Sequence, residues 1–189
     1  MSIEGDFLLG VRDLPFVVLA AIVSALIAAV PFAAVGAKRD DGRSRWWSAL
    51  LAGAVVGSGV AYVLATLSPL SMLGAIPRTV DGALVLNLNL VPVIDMVSTR
   101  PRLLLINLAL LAPLGFFLRL RWPGVGIVGV TLIALVLAVG VEAAQLLHPM
   151  CGSNVDDVLL NVLGAIAGGL VASTVDRRHR QFVLSDQPG

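Results

Sequence analysis

The chain is a succession of long apolar runs, nearly free of charge and separated by short polar segments. Residues 14–36 contain no Asp, Glu, Lys or Arg, and the run exceeds the ~20 residues that a helix needs to cross a bilayer. Further runs follow at about 47–67, 103–118, 125–147 and 155–175. In lipid, each must satisfy its backbone N–H and C=O groups internally, which an α-helix does. Composition agrees: 58% of the 189 residues are hydrophobic and 13% are charged, against roughly 45–50% and ~25% in a soluble domain. The expected fold is an all-α membrane protein, a five-helix transmembrane bundle forming one domain over residues 1–189.

The flanks refine this. Glu4, Asp6 and Asp13 precede the first run, where a signal peptide would start basic, so the run is read as a retained span. Trp46 and Trp47 suit a membrane–water boundary, with the ring in and the N–H out. Gly53, Gly57 and Ala61 recur every four residues, a small-residue stripe that lets helices approach. Pro113 in the third run removes a backbone donor and predicts a kink. Residues 68–102 carry Pro69, Pro77, Pro92 and Pro101, too many breaks for one helix. They are expected to form an irregular surface segment between helices 2 and 3. There Leu86, Leu88 and Leu90 alternate with Asn87 and Asn89 as in extended chain. The residues after Val175 are expected to be a polar, mobile tail.

Basic residues set the orientation. Lys38, Arg39, Arg43, Arg45, Arg119, Arg121, Arg177, Arg178 and Arg180 fall on one side of five spans, and Arg12, Arg78, Arg100 and Arg102 on the other. Nine against four puts the N-terminus outside and the C-terminus in the cytoplasm by the positive-inside rule. A net charge of +1 excludes a strongly basic nucleic-acid binder. One cysteine, Cys151, excludes an internal disulfide. His148 and Cys151 alone make no metal site, so neither metal nor cofactor is expected.

Polar side chains then gather at one depth. Asn107 starts the third span, Glu142 and Gln145 end the fourth, and Asp157 and Asn161 open the fifth; all fall in the outer leaflet, as does Asn89. An acid costs ~2.5–3.5 kcal/mol at a helix centre, and less near an interface, so it needs partners. Helical spacing puts Glu142 and Gln145 on one face, and Asp157, Asn161, Gly164 and Gly168 on another. Asn89, Asn107, Glu142, Gln145, Asp157 and Asn161 are therefore the candidate ligand-binding residues. Pro113, Gly115, Gly164 and Gly168 are assigned to helix packing. The plainer alternative is that the amides are interhelical glue, and that Asn154 or Asp156 caps the last helix while Asp157 answers its dipole.

In order and spacing these residues resemble the VanZ-like family of bacterial integral membrane proteins. Asn89-Leu90-Val91-Pro92 is similar to its outer-loop Asn-Leu-x-Pro. Asn107 with Pro113-Leu114-Gly115-Phe116 is similar to its third-span signature. Glu142-x-x-Gln145 matches its Glu-x-x-Gln, and Asp157-x-x-x-Asn161-x-x-Gly164-x-x-x-Gly168 its closing motif. The resemblance covers residues 87–169, and the first two spans match only in kind. Cys151 and Asn154 stand where members often carry an arginine and an acid. The resemblance implies a multi-pass protein of the bacterial cytoplasmic membrane with a cell-envelope role, in a family named after a protein linked to teicoplanin resistance.

Three functions compete. The first is a non-enzymatic protein whose outer polar pocket binds an amphiphile, with membrane lipids, a lipid-linked wall precursor or a glycopeptide as partner and no nucleic acid. The second is an intramembrane enzyme acting on a lipid or polyprenyl carrier, with Glu142 and Asp157 as its acid–base pair. The third is a proton-coupled transporter, disfavoured because the acids lie at one depth and no inverted repeat is visible.

Overall fold

The computed structural model describes residues 3–35, 45–67, 79–80, 83–84, 88–89, 101–146 and 153–185. Among the described residues six helices carry the fold: α1 Ile3–Val35, α2 Arg45–Thr66, α3 Pro101–Leu110, α4 Ala112–Arg121, α5 Gly126–Leu146 and α6 Val155–Ser185. A 3-10 turn, Pro123–Val125, joins α4 to α5. Among the described residues four helices hold stretches long and apolar enough to cross a membrane: Asp13–Pro31, Trp46–Thr66, Pro123–Leu146 and Val155–Arg177. The protein is thus a multi-pass membrane protein.

The expected third span is the exception. It comes as two ten-residue helices, neither of which reaches across a bilayer alone. The cause is Pro113, second residue of α4: it offers no N–H to the carbonyl four residues back, and its ring crowds that turn. The ladder breaks at Leu111 and resumes with Gly115 N–H bonding to Leu111 O at 3.1 Å. Pro113 itself is exposed. It breaks the helix at the kink that the sequence predicts.

Among the described residues four two-residue strands lie between the helices. β1 Thr79–Val80 and β2 Ala83–Leu84 pair antiparallel. β3 Leu88–Asn89 pairs in parallel with β4 Ser153–Asn154, Asn89 standing opposite Asn154. The extended pattern read at 86–90 is met at 88–89, and the remainder of that segment lies outside the described residues. At the C-terminus the helix continues to Ser185, where a mobile tail is expected from Val175 on. Propagating a helix that is already packed gains one bond per residue fixed, and Arg, Gln and Leu are good helix formers.

Small residues determine how the helices meet. A Cβ added at Gly53 or Gly57 of α2 would strike the Ala25 or Ala21 carbonyl of α1, so these two helices pack antiparallel with backbones almost touching. α4 meets α6 as closely, since a Cβ at Gly115 would overlap the Ala165 backbone. Between α2, α4, α5 and α6 lies the core: Tyr62, Leu111, Leu114, Leu118, Val130, Ala134, Ala138, Val141 and Ala165. Outward faces stay apolar, with Leu26 and Ile27 on α1 and Val128 and Val136 on α5 more than 60% exposed. Lipid solvates such faces.

Candidate functional site

Four helix ends converge. A Cβ added at Gly164 would strike the Leu108 carbonyl and one at Gly168 the Ala112 carbonyl, so α6 runs parallel to α3 and α4. The first turns of α3 and α6 therefore share one end of the bundle. Side-chain bonds from α5 bring the last turns of α5 and α2 to that same end.

Asn107 of α3 donates its Nδ2 to Oδ1 of Asp157 on α6. Glu142 of α5 accepts the backbone N–H of Asn154 at 2.8 Å, and the Ser153 side chain bonds to the same carboxyl. Gln145, one turn further along α5, donates Nε2 to the Thr66 carbonyl at 2.8 Å. That carbonyl ends α2 and has no donor within its own helix. Asn154 caps α6, its Oδ1 accepting the Asp156 N–H at 3.1 Å. Glu142, Asp157 and Tyr62 lie within electrostatic range of one another.

The cluster is largely buried and incompletely paired. Tyr62 is 1% exposed, Asn161 2% and Glu142 6%. The Tyr62 hydroxyl, Asn161 Oδ1 and Gln145 Oε1 are buried and have no hydrogen-bond partner among the described residues. Other hydroxyls in the spans behave differently. Ser58, Thr66, Thr131 and Ser173 each return theirs to a carbonyl of their own helix, at 2.6–2.9 Å. An orphaned buried polar group costs about 1–3 kcal/mol, so three in one place call for donors from elsewhere.

Of the candidate residues, Asn107 and Asp157 touch, Glu142 lies within electrostatic range of Asp157, and Gln145 reaches α2. Asn161 is buried one turn below Asp157 on the same face. The backbone of Asn89 lies beside Asn154; its side chain, Pro92, His148 and Cys151 are outside the described residues. Among the described residues no three His, Cys, Asp or Glu side chains gather as a metal site would require. Arg119 belongs to the other end of α4, bonded to the Pro123 carbonyl and, through Nε at 3.0 Å, to Ser173 Oγ.

Sequence reasoning passed over Tyr62 and Thr66, and read Asn154 as a cap without its bond to Glu142. Tyr62 is the chain's one tyrosine, and it sits four residues before Thr66, on the same helical face. That spacing was the available signal. Thr66 and Asn154 act on Gln145 and Glu142 through backbone groups, which side-chain patterns do not report.

The model of the VanZ/LLP1 family matches residues 16–176. Comparison with curated proteins and with solved structures gave no match. The family match takes in the whole polar cluster and also α1 and α2, which the separate motifs did not reach, and on it the chain belongs to the VanZ/LLP1 family.

Proposed function

We propose that this VanZ/LLP1 protein binds an amphiphile in a polar pocket on the outer side of the bacterial cytoplasmic membrane. The amphiphile is a lipid or a lipid-linked wall precursor, and the role is in envelope homeostasis or resistance to teicoplanin-type glycopeptides. The observation that carries this reading is the set of three unpaired buried oxygens, on Tyr62, Gln145 and Asn161, beside two carboxyls. Assembly glue consumes hydrogen-bonding capacity, whereas this cluster keeps some in reserve. In this reading α3 and α4 together make a fifth, kinked crossing. The nine-to-four basic asymmetry then puts the N-terminus and the cluster outside and the C-terminus in the cytoplasm. Binding by such a pocket requires no reaction.

The test is genetic. A susceptible bacterium expressing the wild-type chain is compared with one expressing Glu142→Gln/Asp157→Asn, at matched membrane levels. The expected result is a shift in teicoplanin susceptibility or envelope-stress signalling with the wild type only. Equal activity of the double variant would remove the carboxyls from the function.

A further inference from the structure

Beside the polar cluster runs an apolar groove of about 680 Å³ between α2, α4 and α5, walled by Val63, Leu67, Leu114, Val136, Gly140 and Val141 among others. Its wall and the cluster share residues. Leu114 and Val141 line the groove and also pack in the core that encloses Tyr62. Val63 follows Tyr62 in the chain, and Val141 precedes Glu142. A hydrocarbon chain lying in the groove would end at Leu67 and Ala144, next in sequence to Thr66 and Gln145, and its head would reach the oxygens of Tyr62 and Asn161 only by inserting between the helix ends.

What those oxygens accept defines the head. Asn161 Oδ1 and Gln145 Oε1 are acceptors only, and the Tyr62 hydroxyl both accepts and donates. The two carboxyls beside them are already acceptors, Asp157 from Asn107 and Glu142 from Asn154. Among the described residues that bond within the cluster there is no cation. A phosphate or carboxylate could accept from the Tyr62 hydroxyl, but it brings acceptors to the two amide oxygens and negative charge to acids, and would leave those amide oxygens unpaired in a medium of low dielectric.

We infer that the groove and cluster together hold an amphiphile whose inserted head carries O–H or N–H donors and no negative charge. This rests on the amphiphile-binding reading above and specifies its ligand class.

The experiment uses the purified full chain in nanodiscs. Bound ligand is counted by native mass spectrometry for three probes of one alkyl chain length: an alkyl glycoside, an alkyl ammonium and an alkyl phosphate. The glycoside or the ammonium, whichever supplies the donors, is expected to bind roughly tenfold more tightly than the phosphate, the worth of one or two hydrogen bonds. Tyr62→Phe, which keeps the ring, should narrow that preference. Gly140→Phe should weaken all three probes, because a side chain at Gly140 meets nothing within 4 Å and would grow into the groove. Equal or tighter phosphate binding would overturn the inference while leaving amphiphile binding intact. So would a preference unchanged in Tyr62→Phe. Failure of every probe to bind would overturn both readings.

Discussion

At the scale of single residues, the unpaired oxygens separate a binding role from a packing role. Tyr62→Phe deletes a buried hydroxyl that has no partner among the described residues. It should therefore leave the melting temperature in detergent unchanged or raise it, since the loss of an unsatisfied polar group is neutral or favourable. A clear fall in melting temperature would mean that the hydroxyl is bonded within the protein. Asn107→Ala does the opposite. It strips Asp157 Oδ1 of its donor, at a cost of about 1–2 kcal/mol in unfolding measurements, a bond to a charged group in a setting where interhelical bonds are weak. Asp157→Asn keeps that acceptor oxygen and should cost less than Asn107→Ala. Asn107, Glu142, Asp157 and Asn161 were legible in the sequence because acids and amides cannot stand alone in lipid. Tyr62 was not, because an aromatic ring in an apolar run is ordinary. Which helix faces it follows from tertiary pairing, and no periodicity within α2 encodes that.

At the scale of elements, backbone contact through glycine holds α6 against α3 and α4. A single methyl at Gly164 has no room, because its Cβ would fall on the Leu108 carbonyl. At Gly59 of α2, the same methyl would meet only Leu114 Cδ1, at 3.9 Å. Gly164→Ala should therefore lower stability by about 1–3 kcal/mol, as overpacking does, and lower folded yield with it. Gly59→Ala should be neutral or slightly stabilising, as alanine is the better helix former. Parallel thermal melts of the two variants check this, and equal effects would contradict the close approach. The GxxxG spacing of Gly164 and Gly168 announced a contact without naming its partner. Pro113 announced a kink, which appears two residues earlier, because the bond a proline deletes belongs to the preceding turn. The pairing of β3 with β4 joins residues 88–89 to 153–154, and strands of two residues leave too short a pattern to read.

At the scale of the whole molecule, the apolar runs sufficed for a helical membrane protein, because lipid allows few other solutions. They could not say that α3 and α4 divide one run between them. Orientation is open to direct measurement. An impermeant thiol reagent on intact cells should label the native Cys151. In a Cys151→Ser background it should fail to label Gly42→Cys until the membrane is opened, and early labelling at Gly42→Cys would invert the bundle. The central claim, that the buried cluster holds an amphiphile, is tested most directly by the lipids that leave the membrane with the protein. Lipids extracted with purified wild type, Glu142→Gln/Asp157→Asn and Gly140→Phe are compared with the bulk membrane by mass spectrometry. The expected result is one amphiphile enriched on the wild type and returned to the bulk proportion in both variants. The same bulk composition on all three proteins would contradict it, and would leave the cluster as a means of assembling the helices.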